Sequence, residues 1–253
     1  MMDWESLKLK LQGPRRAHDT FYGRNIMRKL SIYITWALSH FSISPSLVTF
    51  ISILFGLLGA YLMGVGLWTS GLLLVNGWYL LDHVDGELAR FQNNQTATGF
   101  YFDTMSNAFV PPAALLGVGI GLSKLAGFVW VYMGLLAAYG FLMLMVISLC
   151  EYVVREEFFK KKSRIEPSSP AQAITTGGSR KAILKKVFEK IHFLVTFPSF
   201  LLVMTLVIVG FLLIDKNWLE AALRALIVIY AISVTFVWVS IFSHKIIYGK
   251  IDA

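Results

Sequence analysis

The chain has 253 residues, of which 56% are hydrophobic and only 15% charged, and its mean hydropathy is +0.64. An average soluble domain carries about 25% charged residues, so this composition excludes an ordinary water-soluble enzyme. Intrinsic disorder requires low hydrophobicity, and a disulfide scaffold requires more than the single Cys150. The composition therefore predicts a protein embedded mostly in lipid, and its net charge of +8 has to be explained within that setting.

The N-terminal region is the first predicted part of the chain. Residues 18–41 mix aromatic and apolar residues with arginine and lysine, which is typical of a helix lying in the membrane interface. We therefore expect residues 1–42 to form a cytoplasmic N-terminal region with an interfacial amphipathic helix. The remaining residues, 43–253, are expected to form a single transmembrane domain.

Six later stretches are apolar and long enough to cross a bilayer, which takes about 20 residues per helix. They cover residues 45–67, 71–92, 99–123, 126–150, 192–214 and 218–243. Ser44 and Pro45 form a typical helix start, because a hydroxyl caps free backbone N–H groups and proline fits the first turn. The predicted fold is an all-α polytopic membrane bundle of six transmembrane helices, preceded by the interfacial helix.

The basic residues lie mainly on one side of this predicted bundle. An even number of spans places both termini on one side, and of the 23 lysines and arginines only Lys124, Lys216 and Arg224 fall on the other. Basic residues are enriched in cytoplasmic segments of membrane proteins. Both termini and the basic loop 151–191 are therefore predicted to be cytoplasmic. These charges would attract anionic membrane lipid, and some of them could instead hold substrate phosphates.

Acidic residues cluster where the second predicted span ends and the third begins. Charged side chains at the bilayer centre cost at least about 2.5–3.5 kcal/mol, so they usually mark function. Helical spacing places two sets of residues on one face each, namely Asp82, Asp85, Gly86, Ala89 and Arg90 on the second span and Gly99, Asp103 and Asn107 on the third. The short link 93–98 makes the two spans an antiparallel hairpin whose faces can meet near the cytoplasmic surface.

Three carboxylates on facing helices require a cation, because like charges at short distance repel each other. Oxygen-only ligation favours a hard divalent ion, Mg²⁺, Mn²⁺ or Ca²⁺, over zinc. Such ions commonly bind phosphate oxygens, and Arg90 is placed either for a phosphate or for pairing with Glu87. The cluster therefore predicts metal-assisted phosphate chemistry at the cytoplasmic face. A salt-bridge cluster that only fixes helix register is the purely structural alternative.

The spacing of these residues resembles a known signature. Asp82-x2-Asp85-Gly86-x2-Ala89-Arg90-x8-Gly99-x3-Asp103-x3-Asn107 is similar to D-x2-D-G-x2-A-R-x8-G-x3-D-x3-D, and all positions match except the last. That signature belongs to the CDP-alcohol phosphotransferase (CDP-alcohol phosphatidyltransferase) family. The resemblance implies an integral membrane transferase of phospholipid or related phosphodiester synthesis. It would move a substituted phosphate from a CDP-linked donor, CDP-diacylglycerol or a CDP-alcohol, to an alcohol acceptor with release of CMP.

The same resemblance implies roles for individual residues. One or two Mg²⁺ or Mn²⁺ ions would be ligated by Asp82, Asp85, Asp103 and Asn107. The CDP group would be bound by Asp82, Asp85, Gly86, Ala89, Arg90 and Gly99. Arg155 and Lys160 in the basic loop are candidates for binding a phosphorylated acceptor. The expected partners are membrane lipid, the donor, the acceptor and a second copy of the chain in a homodimer, but no nucleic acid.

Asn107 departs from the signature, whose last aspartate ligates metal and is the expected base for the acceptor hydroxyl. An amide oxygen can still coordinate a metal but has no useful basicity, and general base catalysis typically contributes about 10²–10⁴-fold. The chain is then a deliberate Asp→Asn variant that traps a substrate complex, a divergent enzyme with another base, or a non-catalytic relative. Glu87, His83 and Glu151 are the candidate replacement bases, although the first two lie off the motif face.

Two other classes of function compete with a transferase. A transporter could use the carboxylates to bind a coupling ion, but the charges lie near one membrane face and the sequence shows no inverted repeat. A non-catalytic membrane protein could bind metal and a CDP-lipid without turnover, and Asn107 is the only residue that favours this alternative.

Overall fold

The computed structural model describes residues 4–12, 19–154, 157, 196–213 and 218–248. Within these ranges the regular secondary structure is entirely helical. The helices are α1 (Trp4–Gln12), a π-helical turn (Gly23–Met27) leading into α2 (Arg28–Leu38), α3 (Pro45–Gly64), α4 (Trp68–Phe91), α5 (Ala97–Ala126), α6 (Val129–Val154), α7 (Phe197–Leu213) and α8 (Leu219–Tyr248).

Four of these helices are long and apolar enough to cross a membrane, namely α3, α5, α6 and the Leu219–Ser243 part of α8. The chain is therefore a multi-pass membrane protein with an all-helical fold. The other two predicted spans are also helices, but α4 carries several charged residues near its end and α7 has only 17 residues. The number of spans consequently stays a prediction beyond these four.

Two helices, α3 and α5, begin with a side-chain cap. Ser44 Oγ accepts a hydrogen bond from the Leu47 backbone N–H at 3.3 Å, and Pro45 occupies the first turn of α3. At the start of α5, Thr96 Oγ1 accepts from the Gly99 backbone N–H at 3.0 Å. Such caps satisfy N–H groups that have no partner inside the helix. The predicted start of the first span is confirmed.

Small residues allow α3 to pack closely against both α4 and α5. A Cβ atom on Gly59 of α3 would lie 2.8 Å from the Gly71 carbonyl oxygen of α4. A Cβ atom on Gly117 of α5 would collide with the Ala60 carbonyl of α3. By contrast, α4 and α5 contact each other little, although Trp78 Nε1 donates to Ser106 Oγ at 2.8 Å. The hairpin expected from the short link is thus splayed, with α3 packed along both of its arms.

The remaining helices complete the bundle away from the site. α6 packs against α5 and α8, and α7 packs against α8 and α4. Their buried aromatic rings form one continuous core with α4, in which Phe197 contacts Trp78 at a ring-centroid distance of 5.9 Å. The signature end of α4 packs in a second, smaller apolar cluster, where Val84 and Leu88 contact Val48 of α3.

The helix α2 has a buried polar face and an exposed apolar face. Arg28, Ser31 and Thr35 are buried against the bundle, whereas Leu30 and Trp36 are 50% and 51% exposed. A surface helix of a soluble protein shows the opposite arrangement, with apolar residues facing the core. α1 and α2 both pack against α4. The N-terminal segment is therefore joined to the bundle by buried polar groups as well as by apolar residues such as Met27 and Ile32.

Candidate active site

A cavity of about 390 Å³ lies where the C-terminal end of α4 approaches the beginnings of α3 and α5. Its lining includes all the signature residues except Asn107, namely Asp82, Asp85, Gly86, Ala89, Arg90, Gly99 and Asp103. Residues of the two signature faces thus line one cavity. The carboxylates border this cavity although α4 and α5 contact each other little.

We call Asp82, Asp85 and Asp103 the motif wall of this cavity. Asp85 is only 6% exposed, and its Oδ2 accepts a hydrogen bond from Thr49 Oγ1 of α3 at 2.5 Å. Thr49, Ser44 and Ser46 also line the cavity, so the start of α3 contributes hydroxyl groups beside the carboxylates. The sequence offered no signal for Thr49, because only the packing of α3 against α4 brings it to Asp85.

Asn107 lies one helical turn beyond Asp103 and does not reach the cavity. Its Nδ2 donates to the Asp103 backbone oxygen at 3.0 Å and to Asp103 Oδ1 at 3.1 Å. An ionised aspartate could not donate these bonds and would add a like charge beside Asp103. In this structure the amide therefore orients a carboxylate of the motif wall.

The side chains of the motif wall are of the type that binds Mg²⁺ or Mn²⁺, but they are not arranged around one point as metal ligands are. Among the residues that the structure describes, no group of three or more His, Cys, Asp or Glu side chains is arranged to hold a metal ion. All donors of the motif wall are carboxylate oxygens, which suit Mg²⁺ or Mn²⁺. The donor set thus fits a divalent ion, while the carboxylates share a cavity without converging on one point.

The opposite side of the cavity comes from the segment before α3, and we call Asp19, Thr20 and Arg28 the N-terminal wall. Asp19 and Arg28 form an ion pair that includes a 3.0 Å bond from Nη2 to Oδ1, and their side chains are 16% and 6% exposed. Thr20 Oγ1 accepts from the Gly23 backbone N–H at 3.1 Å and lies 3.2 Å from Tyr79 Oη. This wall is polar, but its charges cancel.

The N-terminal wall is anchored to the bundle by Tyr22. The Tyr22 hydroxyl donates to Asn76 Oδ1 of α4, and Asn76 Nδ2 lies 3.3 Å from Thr205 Oγ1 of α7. Burial raises the pKa of Tyr22 above its ordinary value, so the hydroxyl stays protonated and able to donate. Sequence reasoning missed these residues because no local pattern places residues 19–28 against α4 and α7.

His83 and Glu87 occupy different surroundings, although the spacing placed both off the motif face. His83 lines the cavity, because the N-terminal wall extends the cavity around α4. Its Nδ1 lies 2.8 Å from the Tyr79 carbonyl oxygen. A carbonyl only accepts, so Nδ1 carries a hydrogen, and in the neutral ring Nε2 is then the nitrogen that can accept. Glu87 is completely buried and does not line the cavity.

Arg90 lines the cavity at the C-terminal end of α4. Its Nε donates to the Leu11 carbonyl oxygen of α1 at 2.5 Å. Its Nη1 would lie 3.4 Å from a Cβ atom on Gly86, so the guanidinium lies over the backbone of that residue. The signature arginine is thus held between α1 and the glycine of its own motif.

The motif wall and its spacing correspond to a known family. The family model described as CDP-alcohol phosphatidyltransferase matches residues 42–237. The chain belongs to the CDP-alcohol phosphatidyltransferase family. Membership of this transferase family indicates a membrane transferase that uses a CDP-alcohol, and the family generally depends on divalent metal. A search of curated proteins found no match.

The region matched by the family model includes only part of the cavity lining. The motif wall and Thr49 lie within residues 42–237, whereas the N-terminal wall and α1 precede the matched region. The acceptor candidates Arg155 and Lys160 lie outside the residues that the structure describes. The CDP-alcohol phosphatidyltransferase signature therefore explains one side of the cavity, and the other side has to be understood from its own contacts.

Proposed function

We propose that the chain transfers a substituted phosphate from CDP-diacylglycerol or a CDP-alcohol to an alcohol acceptor. The acceptor oxygen would form a bond to the β-phosphorus, the bond from that phosphorus to the bridging oxygen would break, and CMP would leave. The acceptor hydroxyl would lose its proton to a base. The observation that carries this proposal is one cavity lined by seven signature residues of a CDP-alcohol phosphatidyltransferase.

The proposed roles follow the family signature, and seven of the residues concerned line the cavity. Asp82, Asp85 and Asp103, with the amide oxygen of Asn107, would hold one or two Mg²⁺ or Mn²⁺ ions. When bound, these ions would neutralise charge on the donor diphosphate. The CDP group would be bound by Asp82, Asp85, Gly86, Ala89, Arg90 and Gly99. Arg155 and Lys160 are the proposed contacts for a phosphorylated acceptor.

We also propose how the chain lies in the membrane. α4 and α7 would join the four long apolar helices to give six spans in a domain covering residues 43–253. In residues 1–42, α2 would lie in the interface, which its exposed apolar face supports. Both termini and the cavity would be cytoplasmic because most basic residues fall on that side. A homodimer is part of this proposal.

A second candidate function follows from the contacts of Asn107. An amide that donates to Asp103 can orient a metal ligand but cannot accept a proton from the acceptor. The chain would then be a catalytically impaired variant, or a non-catalytic relative that binds metal and CDP-lipid without turnover. A divergent enzyme with another base is the remaining alternative, and His83 is the candidate that lines the cavity.

These alternatives differ in CMP release. The assay uses CDP-diacylglycerol and CDP-alcohols with a panel of alcohols and Mg²⁺ or Mn²⁺. We expect Asn107→Asp to release CMP about 10²–10⁴-fold faster than the native chain, because it adds a base. Asn107→Ala is the matched control, since it loses the contacts to Asp103 without adding a carboxylate.

Each outcome of this assay has a defined meaning. Fast turnover by the native chain that Asn107→Asp does not increase would favour another base. If the native chain and Asn107→Asp both fail with every donor while binding CDP and metal, the non-catalytic alternative replaces the transferase. If neither chain binds CDP, the proposed donor is wrong.

A further inference from the structure

Glu87 belongs to the α4 signature region but not to the signature itself, and its carboxylate is fully engaged. It is 0% exposed. Its Oε1 accepts hydrogen bonds from Gln12 Nε2 at 2.8 Å and Ser31 Oγ at 2.7 Å, and its Oε2 accepts from Thr35 Oγ1 at 2.7 Å. We call Gln12, Ser31, Thr35 and Glu87 the clasp. Its members come from three helices that are distant in sequence.

The clasp also reaches two arginines that line the cavity. Gln12 Nε2 donates a second hydrogen bond to the Arg28 backbone oxygen at 2.7 Å. The neighbouring Leu11 carbonyl accepts from Arg90 Nε, and Arg90 lies one turn beyond Glu87 on α4. Leu11 and Gln12 are both buried. The end of α1 is therefore attached to α4 at two points, and one of these points holds a cavity-lining side chain.

We propose that Glu87 is a positioning residue that fixes Arg90 and the N-terminal wall around the cavity. It acts by tying α1 and α2 to α4. The buried amide and hydroxyl groups of the clasp have their hydrogen bonds only while these helices stay docked. The catalytic part of this inference rests on the proposed transferase function, whereas the docking of α1 and α2 does not.

In the clasp Glu87 acts only as a hydrogen-bond acceptor, whereas a base or a metal ligand needs its charge. Substitutions at this position can therefore distinguish the two roles. A glutamine at this position keeps one oxygen that can accept from Gln12 and Ser31. Its amide nitrogen can donate to the Thr35 hydroxyl, because a hydroxyl also accepts. A leucine of similar size removes the acceptor that these three donors share, although Gln12 Nε2 keeps its bond to the Arg28 backbone oxygen. Misplacing a binding group by about 1 Å can cost about 10²-fold in rate.

The test compares Glu87→Gln and Glu87→Leu in the full-length chain, with Lys10→Ala as a matched control on the exposed side of α1. Backbone hydrogen exchange in α1 reports docking without using activity. Binding of CDP in the presence of Mg²⁺ and the kcat and KM of CMP release report the position of Arg90. Kinetics are measured in the native or the Asn107→Asp background, whichever releases CMP faster.

We expect Glu87→Leu to accelerate exchange in α1 by about 10- to 100-fold, because buried donors lose a charged partner. The same variant should weaken CDP binding and raise the KM for the donor by about tenfold, with a smaller change in kcat. Glu87→Gln and Lys10→Ala should stay within about threefold of the parent chain in every measurement.

The outcomes distinguish this inference from the proposed function. If Glu87→Gln loses as much activity as Glu87→Leu while its α1 exchange is unchanged, Glu87 acts through its charge and the clasp is overturned. Unchanged exchange in Glu87→Leu would also overturn it. A parent chain that neither binds CDP nor releases CMP would refute the proposed function alone, because exchange in α1 still decides whether the clasp holds.

Discussion

The two walls of the cavity differ in origin and in charge. The motif wall consists of carboxylates from two long helices within the family match, and these carboxylates have a net negative charge. The N-terminal wall precedes the match, and its Asp19–Arg28 pair cancels its own charge. A signature that places carboxylates therefore does not by itself enclose a cavity. The enclosure depends on docking of a segment that the signature does not include.

The largest effect that should distinguish the two walls is the loss of one carboxylate charge from the motif wall. Asp85→Asn keeps an oxygen that can accept from Thr49, so the fold should be retained. We expect CMP release to fall by about 10²–10³-fold, because one preorganised charge at the reacting phosphates is lost. This fall in rate is measured by steady-state kinetics. The substitution is made in the parent chain or in Asn107→Asp, whichever releases CMP faster.

The control for this variant is Ser123→Ala, at the far end of α5, whose exposed hydroxyl bonds only within its own helix turn. It should leave kcat within about twofold and stability within about 0.5 kcal/mol of the parent. If Asp85→Asn retained the parent rate, the motif wall would not be the reacting side of the cavity.

The Asp19–Arg28 ion pair of the N-terminal wall should affect the free energy of unfolding more than the rate of CMP release. Asp19→Asn leaves the buried Arg28 without its carboxylate, so we expect a loss of about 1.5–3 kcal/mol in the free energy of unfolding. Glu220→Gln breaks the more exposed Arg224–Glu220 pair and should cost at most about 0.5 kcal/mol. Thermal unfolding in one detergent compares the two variants. Equal effects would show that burial does not distinguish the pairs.

The smallest expected effect concerns the outer side of the N-terminal wall, where α2 exposes its apolar face. A spin label at Leu30→Cys, in a Cys150→Ser background, should be more accessible to oxygen than to a water-soluble nickel reagent. A label at the adjacent Lys29→Cys should show the opposite preference. Neither variant should change CMP release by more than about twofold, because both side chains are exposed. Equal accessibility at both positions would argue against an interfacial α2.

The sequence predicted the motif wall well because helical spacing is a local property. Residues three and four apart share a face, and the short link brings the two signature faces into one cavity. The roles of Thr49 and Glu87 could not be predicted in this way. Their partners lie 36 to 75 positions away in sequence, and only tertiary packing brings them together. The orientation of Asn107 towards Asp103 likewise required the side-chain geometry.

The separation of α4 from α5 shows a second limit of local reasoning. A short link fixes that two helices are antiparallel but does not fix how far apart they lie. The glycines of α3 decide this distance, because they let α3 pack against both arms of the hairpin.

The outward-facing apolar side of α2 has a consequence for how reaction rates should be expressed. A lipid donor diffuses within a plane, whereas a water-soluble acceptor diffuses through a volume. If α2 holds the rim of the cavity at the membrane interface as proposed, the chain would encounter the donor according to its mole fraction in the bilayer and the acceptor according to its bulk molarity. Diluting the donor with inert lipid at constant total donor would then slow the reaction, while enlarging the aqueous volume at constant acceptor concentration would not.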